Sequence, residues 1–398
     1  MMQLKIMKSQ YRSTSDIEGQ PIGTNYTTNR PIIGQIFFKK MLSISALLIS
    51  PSLAIAEYHL IFKNQTKEFT PYAQIEKIKG GLWSSLNSIE ESKNFSTVFS
   101  FQEMHCSSEE KAKEIKSPGS YFFMPSISIT HNQSIAMPVV DYMGEWNLLQ
   151  LDEKFSKIQR TQPMKDVSII RAGATSPKGY FFGGFNTKKQ PLLIFYSKNL
   201  KRQKILSEKD VTEGEVSSVF NRGKEIAAIY NQRNDENSSL KFSSELRIYS
   251  AAGSPVAKVR LDGLDGSGLS LKDGSIVVSY WKNGTIYMEK FNPHLSHQWK
   301  IPLHQLDGIS SSRGIMLQVE NDLAWVGGNN DNLVIHRVKH DGSALSTRIE
   351  STHGLSAPQP LIYAASAYGK EIHVRGRTNR GKSKTIGSAT EFCLVETP

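Results

Sequence analysis

The sequence predicts an all-β fold, a β-propeller of six or seven four-stranded blades. Three observations predict it. Short polar turns recur after residue 120 at nearly constant spacing, each turn joins two apolar stretches in the manner of a hairpin, and no long helical pattern appears beyond that residue.

The turns are Asn132-Gln133, Pro177-Lys178, Gly223-Lys224, Asp273-Gly274, Glu320-Asn321 and Gly369-Lys370. The strands predicted after them begin at Ser134, Gly179, Glu225, Ser275, Asp322 and Glu371, at offsets of 45, 46, 50, 47 and 49 residues. A third strand is expected in most units, at Trp146–Asp152, Leu192–Tyr196, Glu245–Ser250, Thr285–Phe291 and Asn332–Val338. A weaker fourth closes the unit, as in His297–Leu303 and Ala344–Ile349. One twisted four-stranded sheet cannot bury both faces until it stacks on neighbours, so this period reads as blades. A β-sandwich is the alternative, but it does not repeat at this period. In Asn332–Val338 and Thr285–Phe291 polar residues interrupt the apolar ones, which predicts alternating burial. Gly183-Gly184 and Gly327-Gly328 fall inside second strands, marking either close backbone approach or ordinary bulges.

The chain divides into three parts. Residues 1–56 read as an N-terminal extension and signal peptide: Lys39 and Lys40 form a basic flank, Met41–Leu53 an apolar run, and Ala54-Ile55-Ala56 a small-x-small cleavage site. The run is shorter than the ~18 residues a membrane span needs, and Pro51 interrupts it, so no transmembrane anchor is expected. The preceding forty residues imply an extended basic region or a true start nearer Lys39. The exported chain then begins near Glu57, in a secreted or periplasmic location. Residues 57–119 do not fit the repeat. Phe95–Phe101 reads as a strand, and Ser107 with Glu110 as a capping box opening one or two helical turns toward Lys116. This segment is expected to pack on or close the propeller, which occupies 120–398.

Composition narrows the chemistry. With 398 residues, 38% hydrophobic and 21% charged, the chain can bury a core. Two cysteines cannot build a structural zinc site, a cysteine-ligated cluster or a disulfide-dense miniprotein. In an oxidising compartment Cys106 and Cys393, near opposite ends of the repeat array, are expected to form a disulfide, the alternative being two buried thiols. Closing so long a loop restricts the unfolded chain by roughly 5 kcal/mol in the chain-entropy model.

No catalytic residue, metal site or cofactor is predicted. Gly376-Arg-Thr-Asn-Arg-Gly381-Lys382-Ser383 matches a phosphate-loop pattern to the letter, but only fifteen residues follow Ser383, too few for the helix and further strand that pattern needs. No nucleotide is expected. His336 and His340 on one strand lie ~13 Å apart, too far to share a metal. His294, His297 and His304 have no ligand spacing. Asp262-Gly-Leu-Asp265-Gly-Ser-Gly268 offers oxygens that could meet calcium, but Asp and Gly serve blade-joining turns equally, and the turn is favoured.

Asp273-Gly-Ser-Ile-Val-Val-Ser-Tyr280, Ile286-Tyr-Met-Glu-Lys-Phe-Asn-Pro293, Gln298-Trp-Lys-Ile-Pro-Leu303, Asp322-Leu-Ala-Trp-Val-Gly-Gly328 and Leu333-Val-Ile-His-Arg-Val-Lys-His-Asp-Gly342 resemble blades of exported bacterial propellers of the broad quinoprotein-like repeat group. The resemblance covers about 270 residues. There is no regular blade-end Trp, no Trp-Asp signature and no recurring Asp-box. It therefore implies a fold and an exported habit rather than a reaction.

Charge supplies the functional expectation. The formal net charge is +11; residues 1–56 hold six basic and two acidic side chains, so the exported chain carries +7. Arg375, Arg377, Arg380, Lys382 and Lys384 put five cations in ten residues, with the lysines expected on a strand returning beside the first two arginines. The expected function is a non-catalytic binding or scaffold module for a protein or an anionic polysaccharide, nucleic acid fitting an exported protein less well. The alternative is a propeller enzyme acting on an extracellular glycan or oxidising a small substrate. Cations on edge strands also keep sheets from pairing with other chains.

Overall fold

The computed structural model describes residues 58–65, 74–78, 81–90, 96–104, 113–116, 121–122, 129–131, 134–141, 143–152, 158–206, 213–233, 242–305, 314–329, 332–351, 361–369, 371–377 and 389–396. These residues form only strands and turns, in seven antiparallel sheets. Among them no helix is long and apolar enough to cross a membrane. The fold is a β-propeller, and the seven sheets are its blades.

Strand β1 (Tyr58–Gln65) belongs to the last blade. Blade 1 is β2 (Gln74–Ile78), β3 (Gly81–Glu90), β4 (Ser96–Met104) and β5 (Lys113–Lys116). Blade 2 holds β6 (Tyr121–Phe122), β7 (Ile129–His131), β8 (Ser134–Asp141), β9 (Trp146–Asp152) and β10 (Ile158–Met164). Its innermost position is divided, because β6 pairs with the end of β8 and β7 with its beginning. Blade 3 is β11 (Val167–Ser176), β12 (Gly179–Asn186), β13 (Pro191–Ser197) and β14 (Arg202–Ile205); blade 4 is β15 (Gly214–Arg222), β16 (Glu225–Arg233), β17 (Phe242–Ser250) and β18 (Pro255–Leu261). Blade 5 is β19 (Leu264–Ser270), β20 (Ile276–Lys282), β21 (Thr285–Phe291) and β22 (His297–Gln305); blade 6 is β23 (Ile315–Val319), β24 (Asp322–Asn329), β25 (Asn332–Lys339) and β26 (Ala344–Ser351). Blade 7 takes β27 (Leu361–Tyr368), β28 (Glu371–Arg377) and β29 (Ala389–Glu396) from the end of the chain and β1 from its beginning.

The first strands of successive sheets touch one another, β7 to β11, β15, β19, β23, β27 and then β2, so they surround the axis and the fourth strands lie outermost. Tyr58 pairs with Glu396 and Phe62 with Phe392, so an antiparallel ladder between the two ends of the chain completes blade 7. The predicted turns fall between first and second strands: Ser176 pairs with Gly179, Arg222 with Glu225, Val319 with Asp322 and Tyr368 with Glu371. The third strands at Trp146–Asp152 and Thr285–Phe291 have the predicted limits.

Burial follows stacking. Phe182, Ile194 and Tyr196 face Ala136 and Leu148 of blade 2, while Phe181 and Leu193 on the same two strands face Val216 and Tyr230 of blade 4. Equivalent clusters lie between blades 4 and 5, 5 and 6, and 6 and 7. Each fully buried side chain of this size adds about 1.5–3 kcal/mol of hydrophobic stabilisation.

Two expectations are corrected. The predicted helical turns toward Lys116 give way at Lys113–Lys116 to strand β5, whose residues pair with Val98 to Phe101. A capping box can start a helix, but edge pairing offered by β4 supplies more hydrogen bonds. The alternating burial expected in Asn332–Val338 is also absent: His336 and Arg337 are buried beside their apolar neighbours, because blades cover both faces of this strand. Arg337 is tolerated there by its ion pair with Asp322.

The Gly183-Gly184 pair serves close approach and bulging together. A Cβ on Gly183 would stand 2.5 Å from Val216 of blade 4, and one on Gly184 would stand 1.9 Å from the Ile169 carbonyl oxygen. The partner strand is bulged between Ile170 and Ala172, directly opposite these glycines.

Candidate functional site

Among the described residues, a grouping of charged side chains lies around β18, the outermost strand of blade 4. From Pro255 to Lys258 every residue of β18 is exposed, as is Arg260, because no further strand covers this edge. Pro255 and the cations Lys258 and Arg260 keep the edge from pairing with another chain.

A groove of about 560 Å³ opens between blades 3 and 4. Ile205, Leu206 and Tyr249 form its apolar part, Val256 stands exposed beside it, and Lys204, Arg247 and Lys258 add charge. Arg247 lies 4.2 Å from the centre of the Tyr230 ring and pairs with Glu245, which Lys258 also reaches at 3.3 Å. The Tyr230 and Tyr249 hydroxyls are 2.7 Å apart, fixing the wall.

A second cleft, of about 480 Å³, lies between blades 4 and 5. It is lined by Ser243, Arg260, Leu261 and Asp262 on one side and by Leu264, Trp281, Lys282 and Asn283 on the other. Asn283 and Gly284 both have positive φ, 49° and 83°, and Lys282 pairs with Thr285, so an Asn-Gly hairpin turn of the I′ kind presents Lys282 at the rim. Lys282 and Lys300 donate to the same oxygen of Asp262, Oδ2, at 2.7 and 2.9 Å. The hydrogen bond from Lys282, then that from Lys300, hold the Asp262 carboxyl below the ordinary carboxylate range. Arg260 has no carboxylate partner among the described residues.

Behind Lys300 the polar network continues inward. Its ammonium sits 4.7 Å from the Tyr287 ring centre and 5.3 Å from that of Tyr280. Tyr280 donates to Glu289 at 2.6 Å, and His297 lies 3.6 Å from the other oxygen of that carboxylate. Burial, then the hydrogen bond to Glu289, push the Tyr280 phenol above its ordinary value. Nearer the axis, Arg171 of β11 and Glu215 of β15 form an ion pair at 3.4 Å between the innermost strands of blades 3 and 4.

The residues singled out in the sequence are distributed differently. Arg375 and Arg377 lie on β28, opposite Glu391 and Ala389 of β29. Arg380, Lys382 and Lys384 lie outside the described residues. The described strand beside β28 is β29, Ala389–Glu396. Cys393 is on β29, opposite Ile61 and His373, whereas Cys106 lies outside the described residues, as do residues 1–57. Asp262 and Gly263 form the turn between β18 and β19, and Leu264–Ser270 continue as strand, with Asp262 held by lysines. Glu245, Arg260, Lys282 and Lys300 had no motif to bring them together in the sequence. The Asn283-Gly284 turn was the one local sign that Lys282 would be presented at a loop tip.

No family model matches the chain, and no curated protein matches it in sequence. Its fold does match solved structures. The β-propeller domain of the trilobed protease from Pyrococcus furiosus, described as having an open velcro topology, aligns with 82% of this chain and 94% of its own at a TM-score of 0.50 and 7% identity. The polysaccharide lyase Uly1 aligns with 86% of this chain and 99% of its own, also at a TM-score of 0.50 and 7% identity. At such identity the likeness is one of fold. The chain is a β-propeller with seven blades among the described residues, and its structural neighbours include a polysaccharide lyase and the propeller domain of a protease.

Proposed function

We propose that this chain is an exported, non-catalytic propeller that holds an anionic polysaccharide on its basic outer surface. The observation that carries the reading is the charge balance around β18. The two clefts and the groups bonded to them bring together Lys204, Arg247, Lys258, Arg260, Lys282 and Lys300 against the carboxylates of Glu245 and Asp262. A surplus of cations beside apolar walls suits a polymer that alternates charged groups with C–H faces. The C-terminal cations Arg375, Arg377, Arg380, Lys382 and Lys384 add a second basic region. The signal-like segment before Glu57 supports export.

The test is retention on a polygalacturonate column against a salt gradient. Replacing Lys204, Lys258, Arg260 and Lys282 with Gln should shift elution to lower salt by more than replacing Arg375, Arg377, Lys382 and Lys384. Equal elution of wild type and both variants removes the reading.

The second reading is a propeller enzyme acting on an extracellular glycan. The Arg171–Glu215 pair favours it, because charged side chains near the axis are where converging blades can assemble a catalytic site. Loss of polymer viscosity with wild type, abolished in Glu215→Gln, would support it.

A further inference from the structure

We propose that the cleft between blades 4 and 5 is a carboxylate-recognition subsite that takes one uronate unit of an acidic polysaccharide, with Arg260 as the anchor. This inference rests on the polysaccharide-binding reading and assigns it a place. Arg260 is exposed on the wall of the cleft and has no carboxylate partner among the described residues. A guanidinium offers parallel N–H donors that match a carboxylate in bidentate fashion. Lys282 stands across from it at the hairpin tip, and Asp262 fixes Lys282 and Lys300 through a single oxygen. Two lysines on one carboxylate leave the cluster one positive charge in excess even before Arg260 is counted, so a second carboxylate is attracted.

The remaining lining fits the body of a sugar. Leu261, Leu264 and Trp281 supply apolar surface, while Ser243 and Asn283 offer hydroxyl and amide partners. A volume of about 480 Å³ lies in the range of small-ligand sites. The turn that carries Asp262 is packed closely where it crosses the blades, since a Cβ on Gly263 would stand 2.3 Å from the Tyr280 ring. The cleft wall is therefore set by the fold and does not need a ligand to form it.

The experiment is calorimetric titration of the folded protein with trigalacturonate at low salt, with its methyl ester as the uncharged analogue. Wild type should bind the acid and not the ester. Arg260→Gln should weaken binding about tenfold, the scale of one lost charge-assisted hydrogen-bonded contact. Arg260→Lys should recover only part of that loss. Lys224→Gln, which removes the same charge from an exposed hairpin turn of blade 4 that lines neither cleft, should change binding less than twofold. Equal losses for Arg260→Gln and Lys224→Gln would mean that the general field binds the ligand and would overturn the subsite. Equal binding of acid and ester would overturn it too. If wild type is retained on polygalacturonate but trigalacturonate binding ignores Arg260, the subsite fails while the wider reading stands. If wild type is not retained at all, the wider reading fails with it.

Discussion

Gly183 and Val216 are packed so closely that the smallest possible side chain on Gly183 would stand 2.5 Å from a Val216 methyl carbon. Val219 would be 2.7 Å away, and both valines are buried, so neither has room to withdraw. Gly183→Ala should therefore destabilise the protein by about 1–3 kcal/mol, the usual cost of overpacking. Val216→Ala in the same chain should restore part of the loss, since it removes the methyls that clash. Urea unfolding of the two single variants and the double variant gives the coupling directly. Additive losses would mean that the glycine serves the bulge of β11 opposite it rather than the approach of blade 4.

The Tyr280–Glu289 bond ties stability to alkaline pH. Tyr280 is 1% exposed and its phenol is held above its ordinary value by burial and by Glu289. The unfolded phenol loses its proton near pH 10, while the folded one keeps it, so above that pH the unfolded state binds fewer protons and stability falls as pH rises. Tyr280→Phe should flatten this fall. It should also cost about 1–3 kcal/mol at neutral pH, because the nearly buried Glu289 loses a donor. Burial raises the Tyr180 phenol as well, so a residual slope should remain. Urea midpoints from pH 8 to 11 check both effects; parallel curves for wild type and Tyr280→Phe would contradict the linkage.

Sequence made the blades legible because a hairpin turn is a local event. Pro177-Lys178, Gly223-Lys224 and Glu320-Asn321 fix backbone conformations that neighbouring residues alone can impose, and Glu320 and Gly223 do adopt positive φ. Strand starts at Gly179, Glu225 and Asp322 followed from them. Residues 74–116 were harder, since local cues at Ser107 and Glu110 compete with long-range pairing along β4. The cleft was not legible. Arg260, Lys282 and Lys300 come from the outermost strand of one blade and from the second and fourth strands of the next, and only the crossover at Asp262 brings them together. The C-terminal cations, by contrast, stood out because they are neighbours in the chain, which is a weaker reason for a site.

Trp325 tests how much one indole between blades contributes. It is 1% exposed, packs with Met288, Met316 and Val334, and lies over two glycines: a Cβ on Gly314 or Gly327 would stand 2.1 Å from its ring. Trp325→Ala should cost about 3–5 kcal/mol through lost transfer energy and the cavity left behind. Trp325→Phe should cost less, because a smaller ring fills part of that space. Calorimetric unfolding checks the order, and an alanine variant as stable as wild type would mean that blades 5 and 6 collapse onto the vacancy.

The ladder between β1 and β29 closes the ring close to the expected cleavage site. Its first pair is Tyr58 with Glu396, and the proposed cleavage after Ala56 would leave Glu57 as the new terminus, one residue before that pair. Cleavage there preserves every residue of β1, whereas a cut even five residues further on would remove most of the pairs that join the two ends. Exported protein should therefore begin near Glu57, which N-terminal sequencing reads directly; residues 1–40 found attached outside the cytoplasm would refute it. A chain lacking residues 58–65 should also unfold at a lower temperature, because β29 loses the strand that covers its outer edge and blade 7 is left with three strands from one end of the chain. Supplying a peptide of sequence Tyr58–Gln65 in excess should raise that temperature in a concentration-dependent way, since anything that binds only the folded state stabilises it by mass action. No rise at saturating peptide would mean that β1 closes the blade only when it is covalently part of the chain.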